Sequence, residues 1–592
     1  MSKENIYIKR VSKLRELMRQ KNIEAFLVTH DDEHLLENTS KSFERLKWII
    51  GFSGSAGYLL ITLDELFLFV DSRYSIQSKI ETKGLKIKIF NVFELNYEKF
   101  ISLNKLKAKN LALDPKTMSQ KLYSSYQEVA IKYQIKILKL KKNLIDYVWI
   151  RSLKVQNTKD IFILKQKYSG MTFTNKLNKL FAILKQKNVD WIFLQNSESV
   201  AWLFNIRGMD LPYTPITFAY SLISKKYIYI FLEDPVLPKK ILDFYSKKVR
   251  FVNFLEINQI LKKMKVSKQK ILLDQNSTSK YYYDLLRKHY KKVFNDADPV
   301  CYLKSIKNKV EIKNLVKSHI FDGVALTKFI YWFKNIKNKV SELDIVNKID
   351  SLRQQNQEYL SKSFPTIAGS GKNGAIVHYI PNIKSNRKLN SDDILLLDSG
   401  GQYKLGTTDV TRTLSIGKAK KIQSLNYTLV LKSHIKLNNA IFPKGTSGAF
   451  LDYIARSELW KSGKDFAHGT GHGVGYCLNV HEGPFSISKN NNIPLQEGMV
   501  FSNEPGYYLE GKFGIRIENL VTIKKKTINK KELFKIETLT LAPYDIDLII
   551  KSLLTNEELI WIKNYHNTVF KKISPYLDKN EKSWLFKEIN KL

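Results

Sequence analysis

The chain has 592 residues, and its 97 Lys and Arg against 56 Asp and Glu give a formal net charge of +41. At roughly 100–200 residues per domain this length predicts about three domains, while two distant cysteines, Cys301 and Cys477, exclude a disulfide framework or a Cys-based zinc site and suit a reducing compartment. With no apolar run near the ~18–20 residues of a membrane span and no h-region behind Met-Ser-Lys-Glu-Asn, a cytoplasmic protein with no membrane partner is expected.

In chain order, Val11, Leu14, Leu17 and Met18 recur at helical spacing, with Asn22 near the stop. The strand Ala25-Phe-Leu-Val28 follows. Gly57 to Ile61 and Leu66 to Val70 flank the turn-like Leu63-Asp-Glu65 and predict a β-hairpin. The pattern then returns. Leu17-Met-Arg-Gln-Lys-Asn-Ile-Glu-Ala-Phe-Leu-Val28 overlays Ile183-Leu-Lys-Gln-Lys-Asn-Val-Asp-Trp-Ile-Phe-Leu194. A strand pair again follows, near Ala219 to Ile223 and Tyr227 to Leu232. From Leu17 to Ile183 is 166 positions, far longer than solenoid repeats, so residues 1 to about 150 and about 155 to 300 read as two related α/β domains. Asn295-Asp-Ala-Asp-Pro299 marks a boundary, and an amphipathic helix is predicted over roughly Lys309 to Phe333, with Ile312, Leu315, Val316, Ile320, Val324 and Leu326 on one side. Residues 369–417 and 463–514 are then glycine-dense, and glycines tighten backbone around sites.

The positive charge has two readings. Nucleic-acid readers carry basic stripes and favour Arg. Here Lys greatly outnumbers Arg and is spread through every segment, which predicts compositional bias and no specific nucleic-acid partner. Because arginine is scarce, an arginine inside a motif is informative.

The last third gathers the acids and histidines. Asp398 ends a strand before Ser-Gly-Gly, and Asp409 precedes Val-Thr-Arg412-Thr. His468-Gly-Thr-Gly-His472-Gly-Val-Gly475 is too glycine-rich for the helical His-Glu-x-x-His zinc motif. His481-Glu-Gly-Pro484, Glu504-Pro-Gly and Gly514-Ile-Arg516-Ile-Glu518-Asn519 complete the set. Singly, each has a plain reading: Asp398 as a turn residue, Glu504 in a loop, Arg516 and Glu518 as a salt-bridged strand. Together, Asp398, Asp409, His472, Glu504 and Glu518 make a plausible dinuclear site. Four carboxylates and an imidazole are hard ligands suited to Mn²⁺, Co²⁺, Fe²⁺ or Zn²⁺, and four acids supply the bridges that two ions about 3.5–4 Å apart require. Four negative charges in one cleft are untenable without cations. Of the other histidines, His289, His319, His434 and His566 lie in Lys-rich helical patterns and read as surface or filler positions. His30 and His34 fall in an N-terminal loop that could line a domain interface.

At these residues the chain resembles the pita-bread metallopeptidase family, which includes methionine aminopeptidase, prolidase and Xaa-Pro aminopeptidase. It is most similar to the long, three-domain, cytosolic Xaa-Pro aminopeptidases. The likeness runs through Gly51-Phe-Ser-Gly-Ser-Ala-Gly57, Asp71-Ser-Arg-Tyr74, Ala201 to Gly208, Phe364-Pro-Thr-Ile367, Gly374-Ala-Ile-Val-His378-Tyr and Asp398-Ser-Gly. It continues through Gly406 to Thr413, His468 to Gly475, Asn479 to Pro484, Glu504-Pro-Gly-Tyr-Tyr508 and Phe513 to Asn519. Gly401 and Leu405 depart from the pattern without touching a ligand, and the loop Asp31 to Arg45 departs more strongly.

The resemblance implies an α/β (α+β) fold: two related creatinase-like N-terminal domains, residues 1–150 and 151–300, then a pita-bread catalytic domain, residues 301–592. Asp398 would bind one metal, Asp409 and Glu518 would bridge both, and His472 and Glu504 would bind the second. His378, His468 and His481 would surround the scissile bond, and Arg516 would orient Asp409. Manganese is the family's usual metal, with Co²⁺ or Zn²⁺ as alternatives, and a homodimer is implied. The expected activity is hydrolysis of the N-terminal Xaa-Pro bond of peptides with proline in second place, by a hydroxide bridging two metals, with Glu504 shuttling a proton to the leaving nitrogen. The alternatives are a prolidase, which usually has two domains, and a non-catalytic histone- or RNA-binding relative, which typically loses the ligands.

Overall fold

The computed structural model describes residues 3–103, 106–151, 160–245, 248–264, 266–336 and 339–592. The start of the second repeat, near residue 155, lies outside these. Two compact units are present: one holds nearly all of residues 1–300, the other residues 164–170, 212–215 and 301–592.

The first unit contains two six-stranded sheets of the same order. In the first, Ala25–Thr29 lies antiparallel to Tyr58–Thr62 and parallel to Asn110–Leu113. In the second, Trp191–Leu194 takes the matching place between Tyr220–Ser224 and Lys270–Leu273. The Lys-Asn pairs are equivalent too: Asn22 has φ 53° and Asn188 φ 52°. Each ends a helix, Lys3–Gln20 or Phe173–Gln186, in the left-handed conformation that asparagine tolerates. His34 packs where the two repeats of this unit meet. Its ring stacks on Phe218 at 4.1 Å and its Nδ1 lies 3.0 Å from the Tyr220 hydroxyl. His30 instead bonds the Glu37 carbonyl at 2.8 Å.

The long helix of the second unit, Lys309–Lys334, is capped by Asn308 and Glu311. Leu315 and Leu326 are buried along it, but so are Ser318, His319 and Asp322. The helix is therefore enclosed on more than the single apolar stripe its sequence shows, and Arg353 neutralises Asp322 at 2.7 Å. Two sheets carry the glycine-dense segments. One is Ile367–Ser370, Ile394–Ser399 and Val410–Ser415, all antiparallel. The other runs, by sheet order, Ile441–Pro443, Lys531–Thr538, Asn519–Ile528, Val500–Asn503, Gly471–Gly473 and Glu482–Ile487. Helices Lys421–Asn438 and Asn556–Ile573 close over the core, burying Tyr427, Val430, Leu431, Ile562, Tyr565 and Val569.

Candidate metal centre

Each acid or imidazole singled out above is placed by a backbone feature that its neighbours in sequence make possible. Asp398 sits in a central strand, paired with Ile367 on one side and Thr411 on the other. Behind it, a Cβ on Gly400 would stand 2.0 Å from the Thr408 carbonyl oxygen, so only glycine lets the chain fold back and bring Asp409 near Asp398. His472 occupies the middle of a three-residue strand. A Cβ on Gly471 would lie 1.7 Å from the Ser502 carbonyl, and one on Gly473 2.3 Å from that of Glu482. The glycines around this histidine thus let three strands pack backbone to backbone. Arg516 ends strand Phe513–Arg516, and Glu518 lies in the break before Asn519–Ile528.

Asp409, His472 and Glu518 each offer one ligand atom within 4.8 Å of the others. His472 Nε2 lies 3.6 Å from Asp409 Oδ2 and 3.4 Å from Glu504 Oε1. The other ring nitrogen is 3.0 Å from the Gly473 carbonyl. A carbonyl only accepts, so Nδ1 carries a hydrogen and Nε2 is the nitrogen turned towards the carboxylates, the orientation of a metal-ligating histidine. Asp398 joins through Arg516, whose Nη2 donates to Asp398 Oδ2 at 2.5 Å. The Thr411 hydroxyl donates to Glu518 Oε2 at 2.8 Å and accepts from Arg516 Nε at 3.2 Å. Glu504 Oε1 accepts from the Ser502 hydroxyl at 2.9 Å.

The electrostatics call for cations. Asp398, Asp409 and Glu518 are buried. Burial first, then the neighbouring carboxylates, push the Asp409 and Glu518 carboxyls well above the usual range. Arg516 is buried among Tyr508, Asp398 and Glu504, and this company outweighs the cost of burial to hold its charge firmly. One guanidinium cannot balance four carboxylates. Asp398 Oδ1 and Asp409 Oδ1 are buried without a hydrogen-bond partner, and such oxygens are costly unless something positive completes them. The donor set therefore fits divalent cations.

The three further histidines fall into different settings. His481 packs edge-on against His472, ring centroids 4.3 Å apart. His468 Nδ1 lies 2.7 Å from the Gly469 carbonyl and Nε2 2.8 Å from the Tyr508 hydroxyl, which itself accepts from Arg516 Nη1 at 2.6 Å. His378 is half-buried and follows Val377, whose carbonyl accepts from Arg516 Nη1 at 3.3 Å. Sequence reading overlooked Tyr508, Thr411 and Ser502 as supports. Tyr508 and Thr411 had a signal, as members of Glu504-Pro-Gly-Tyr-Tyr508 and of Gly406 to Thr413, and Ser502 had none.

The surface reading fails for three other histidines. His319, His434 and His566 are 2 %, 0 % and 1 % exposed. Burial and the nearby Arg412 push His434 and His566 down to about 3, so both rings are neutral. His289 is half-buried, its Nε2 3.1 Å from Asn258 Oδ1.

Comparison with known proteins gives the family. The sequence profile of metallopeptidase family M24 matches residues 313–525, and that of its C-terminal region residues 532–592. Profiles of creatinase/prolidase N-terminal domains match residues 10–142 and 154–311. A probable Xaa-Pro aminopeptidase P of Laccaria bicolor is 34% identical over 98% of this chain and 93% of its own. The crystal structure of an X-prolyl aminopeptidase from Caenorhabditis elegans, a cytosolic enzyme with a dinuclear active site, superposes with a TM-score of 0.94 at 30% identity, covering 99% of this chain and 100% of that one. A prolidase from Thermococcus sibiricus, at 26% identity and a TM-score of 0.52, covers 98% of its own chain but only 63% of this one. Strand order, carboxylate cluster and full-length likeness converge, and the chain belongs to metallopeptidase family M24, as a hydrolase among its long Xaa-Pro aminopeptidases.

Proposed function

We propose that the chain removes the first residue from peptides whose second residue is proline, using two divalent ions, manganese first among them, in the cytoplasm. The observation that carries this reading is the cluster of Asp409, His472 and Glu518, with Glu504 and Asp398 beside it, in a chain matched over its whole length by Xaa-Pro aminopeptidases. Asp409 and Glu518 would be shared by the two ions, Asp398 would serve one, and His472 and Glu504 would serve the other. Bound there, the ions would polarise the scissile carbonyl and acidify water.

The chain's own residues do the rest. Glu504, half-buried and braced by Ser502, passes a proton to the leaving proline nitrogen. His481, beside His472, donates to the oxygen that gains charge at the reacting carbon. His378 and His468 hold the substrate backbone, His468 being oriented by Tyr508 and Arg516. A tertiary amide has no N–H, and proline fixes φ near −65°. A rigid pocket can match that one shape, whereas alanine must lose conformational freedom to adopt it. The prolidase reading is weaker, because the prolidase above leaves more than a third of this chain unmatched. The Caenorhabditis elegans enzyme is described as cytosolic, and among the described residues no helix is long and apolar enough to cross a membrane.

The experiment is kcat/KM for Xaa-Pro-Xaa, Xaa-Pro and Xaa-Ala-Xaa peptides with added Mn²⁺. Preference for the proline tripeptide is expected. Equal cleavage of the alanine peptide would refute the proline assignment, and restriction to the dipeptide would move the protein to prolidase.

A further inference from the structure

A chain of buried side chains runs behind the two strands that deliver Glu504 and Glu518, and its hydrogen-bond directions are forced. Arg412 Nη1 donates to the Glu518 carbonyl at 2.7 Å and to the Thr411 carbonyl at 2.9 Å. Its Nη2 donates to Asn519 Oδ1 at 2.8 Å. The Asn519 amide nitrogen donates to the Tyr544 hydroxyl at 2.8 Å. That hydroxyl lies 3.1 Å from His434 Nε2, and His434 Nδ1 lies 3.0 Å from the Asn503 carbonyl.

The carbonyl settles every direction. Asn503 O can only accept, so His434 Nδ1 is the N–H and Nε2 is bare. Nε2 must then accept, so Tyr544 spends its hydroxyl hydrogen there and is left to accept from Asn519. Arg412, which donates to the Glu518 carbonyl on one side, therefore starts a one-way donor series through Asn519, Tyr544 and His434 to the peptide that leads into Glu504. That peptide is gripped on its other side as well, where the Glu504 N–H donates to the Thr470 carbonyl at 2.8 Å. Asn503 and Asn519 are direct partners in the sheet, so the series closes a loop around the pair of strands. All four side chains are buried, and Asn503 Nδ2 returns a bond to the His434 carbonyl at 2.9 Å.

We infer that Tyr544 and His434 are positioning residues for the metal centre: they set the spacing between the Glu504 and Glu518 carboxylates without touching substrate or ion. The inference rests on the metal reading above. In low-dielectric surroundings a fully satisfied series of this kind is rigid, and each missing link leaves two buried polar groups unpaired. Outer partners of ligating groups typically change metal affinity by about 10–100-fold.

The test is Tyr544→Phe, which removes one hydroxyl and keeps the ring. Chelator-treated wild type and variant are titrated with Mn²⁺ by calorimetry, and the metal-free Tm of each is measured. The expected result is a Kd weaker by about 10-fold for Tyr544→Phe, with further loss in the Tyr544→Phe, His434→Asn double variant smaller than the two single effects combined, because one series is already cut. A variant with a lowered metal-free Tm but wild-type Kd overturns the inference and leaves the metal reading intact. A wild type that takes up no Mn²⁺ overturns both. Should Tyr544→Phe not fold, His434→Asn decides alone: its amide can reach the Asn503 carbonyl but not Tyr544, and a wild-type Kd overturns the inference.

Discussion

Asp409 and Glu518 differ from ordinary acidic residues only in their surroundings. Both are buried, each faces further carboxylates, and burial raises their carboxyls far above the range of a surface acid. Removing either should therefore cost the bound ions themselves. Removing His481, which packs edge-on against the ligand His472, should cost only chemistry. Asp409→Ala and Glu518→Ala are expected to lose both metal, read by equilibrium dialysis, and activity. His481→Ala is expected to retain metal while kcat falls by about 10²–10³-fold, the usual loss for one transition-state donor. Full activity in His481→Ala would place the chemistry elsewhere. The identities of these residues were legible in the sequence because motifs name side chains. The partners that orient them, Thr411 on Glu518 and Ser502 on Glu504, were not. A threonine or serine in a strand is common, and only the fold brings its hydroxyl within 3 Å of a carboxylate.

Among the elements, the three-residue strand Gly471–Gly473 is the tightest fitting. Glycine in a strand interior normally weakens it. Here a Cβ on Gly471 would lie 1.7 Å from the Ser502 carbonyl oxygen, and one on Gly514 1.8 Å from that of Gly374. Both neighbours are backbone, which cannot swing aside as a side chain can. Gly471→Ala should force His472 away from Asp409 and Glu504. The measurable outcome is loss of metal binding together with a fall in Tm of several degrees, in line with the ~1–3 kcal/mol of overpacking in a filled interior. A variant with wild-type Tm and metal content would show that the strand has room. Element type was largely legible. The helix predicted over Lys309 to Phe333 runs Lys309–Lys334, and the hairpin strands predicted at 57–61 and 66–70 are Tyr58–Thr62 and Leu66–Val70. The break between Arg516 and Asn519 was not. Alternation of Arg516 and Glu518 reads as one continuous strand, whereas the chain leaves one sheet and joins another at that point.

For the whole molecule, charge and exposed apolar surface matter more than any single side chain. The +41 is carried by lysines throughout the sequence, many of them in surface pairs such as Lys47 with Glu44 and Lys420 with Asp392, which contribute little to stability. On helix Gly448–Trp460, Phe450, Tyr453 and Trp460 fall on one face and are 69 %, 62 % and 43 % exposed. Three exposed aromatics on one helix face suit a partner surface, and we propose that a second copy of the chain covers them in a homodimer. Sedimentation should give twice the mass of one chain, and Tyr453→Glu should shift it to a single chain. A dimer that survives Tyr453→Glu would move the interface elsewhere.

The sequence by itself determined the hydrolase family, the two-fold repeat near the N-terminus and the ligand candidates. All of these are written in residue identity and spacing, which the chain carries before it folds. Tertiary structure alone decided which buried groups support them. His434 lies 69 positions from Asn503 and Tyr544 lies 25 from Asn519, and nothing local marks His434 as different from half-buried His289. Whether an imidazole is a surface residue or a neutral link in a buried donor series depends on which faces of distant elements come together. That is set by the burial of Tyr427, Val430 and Tyr565 in a common core and not by the residues on either side of the histidine.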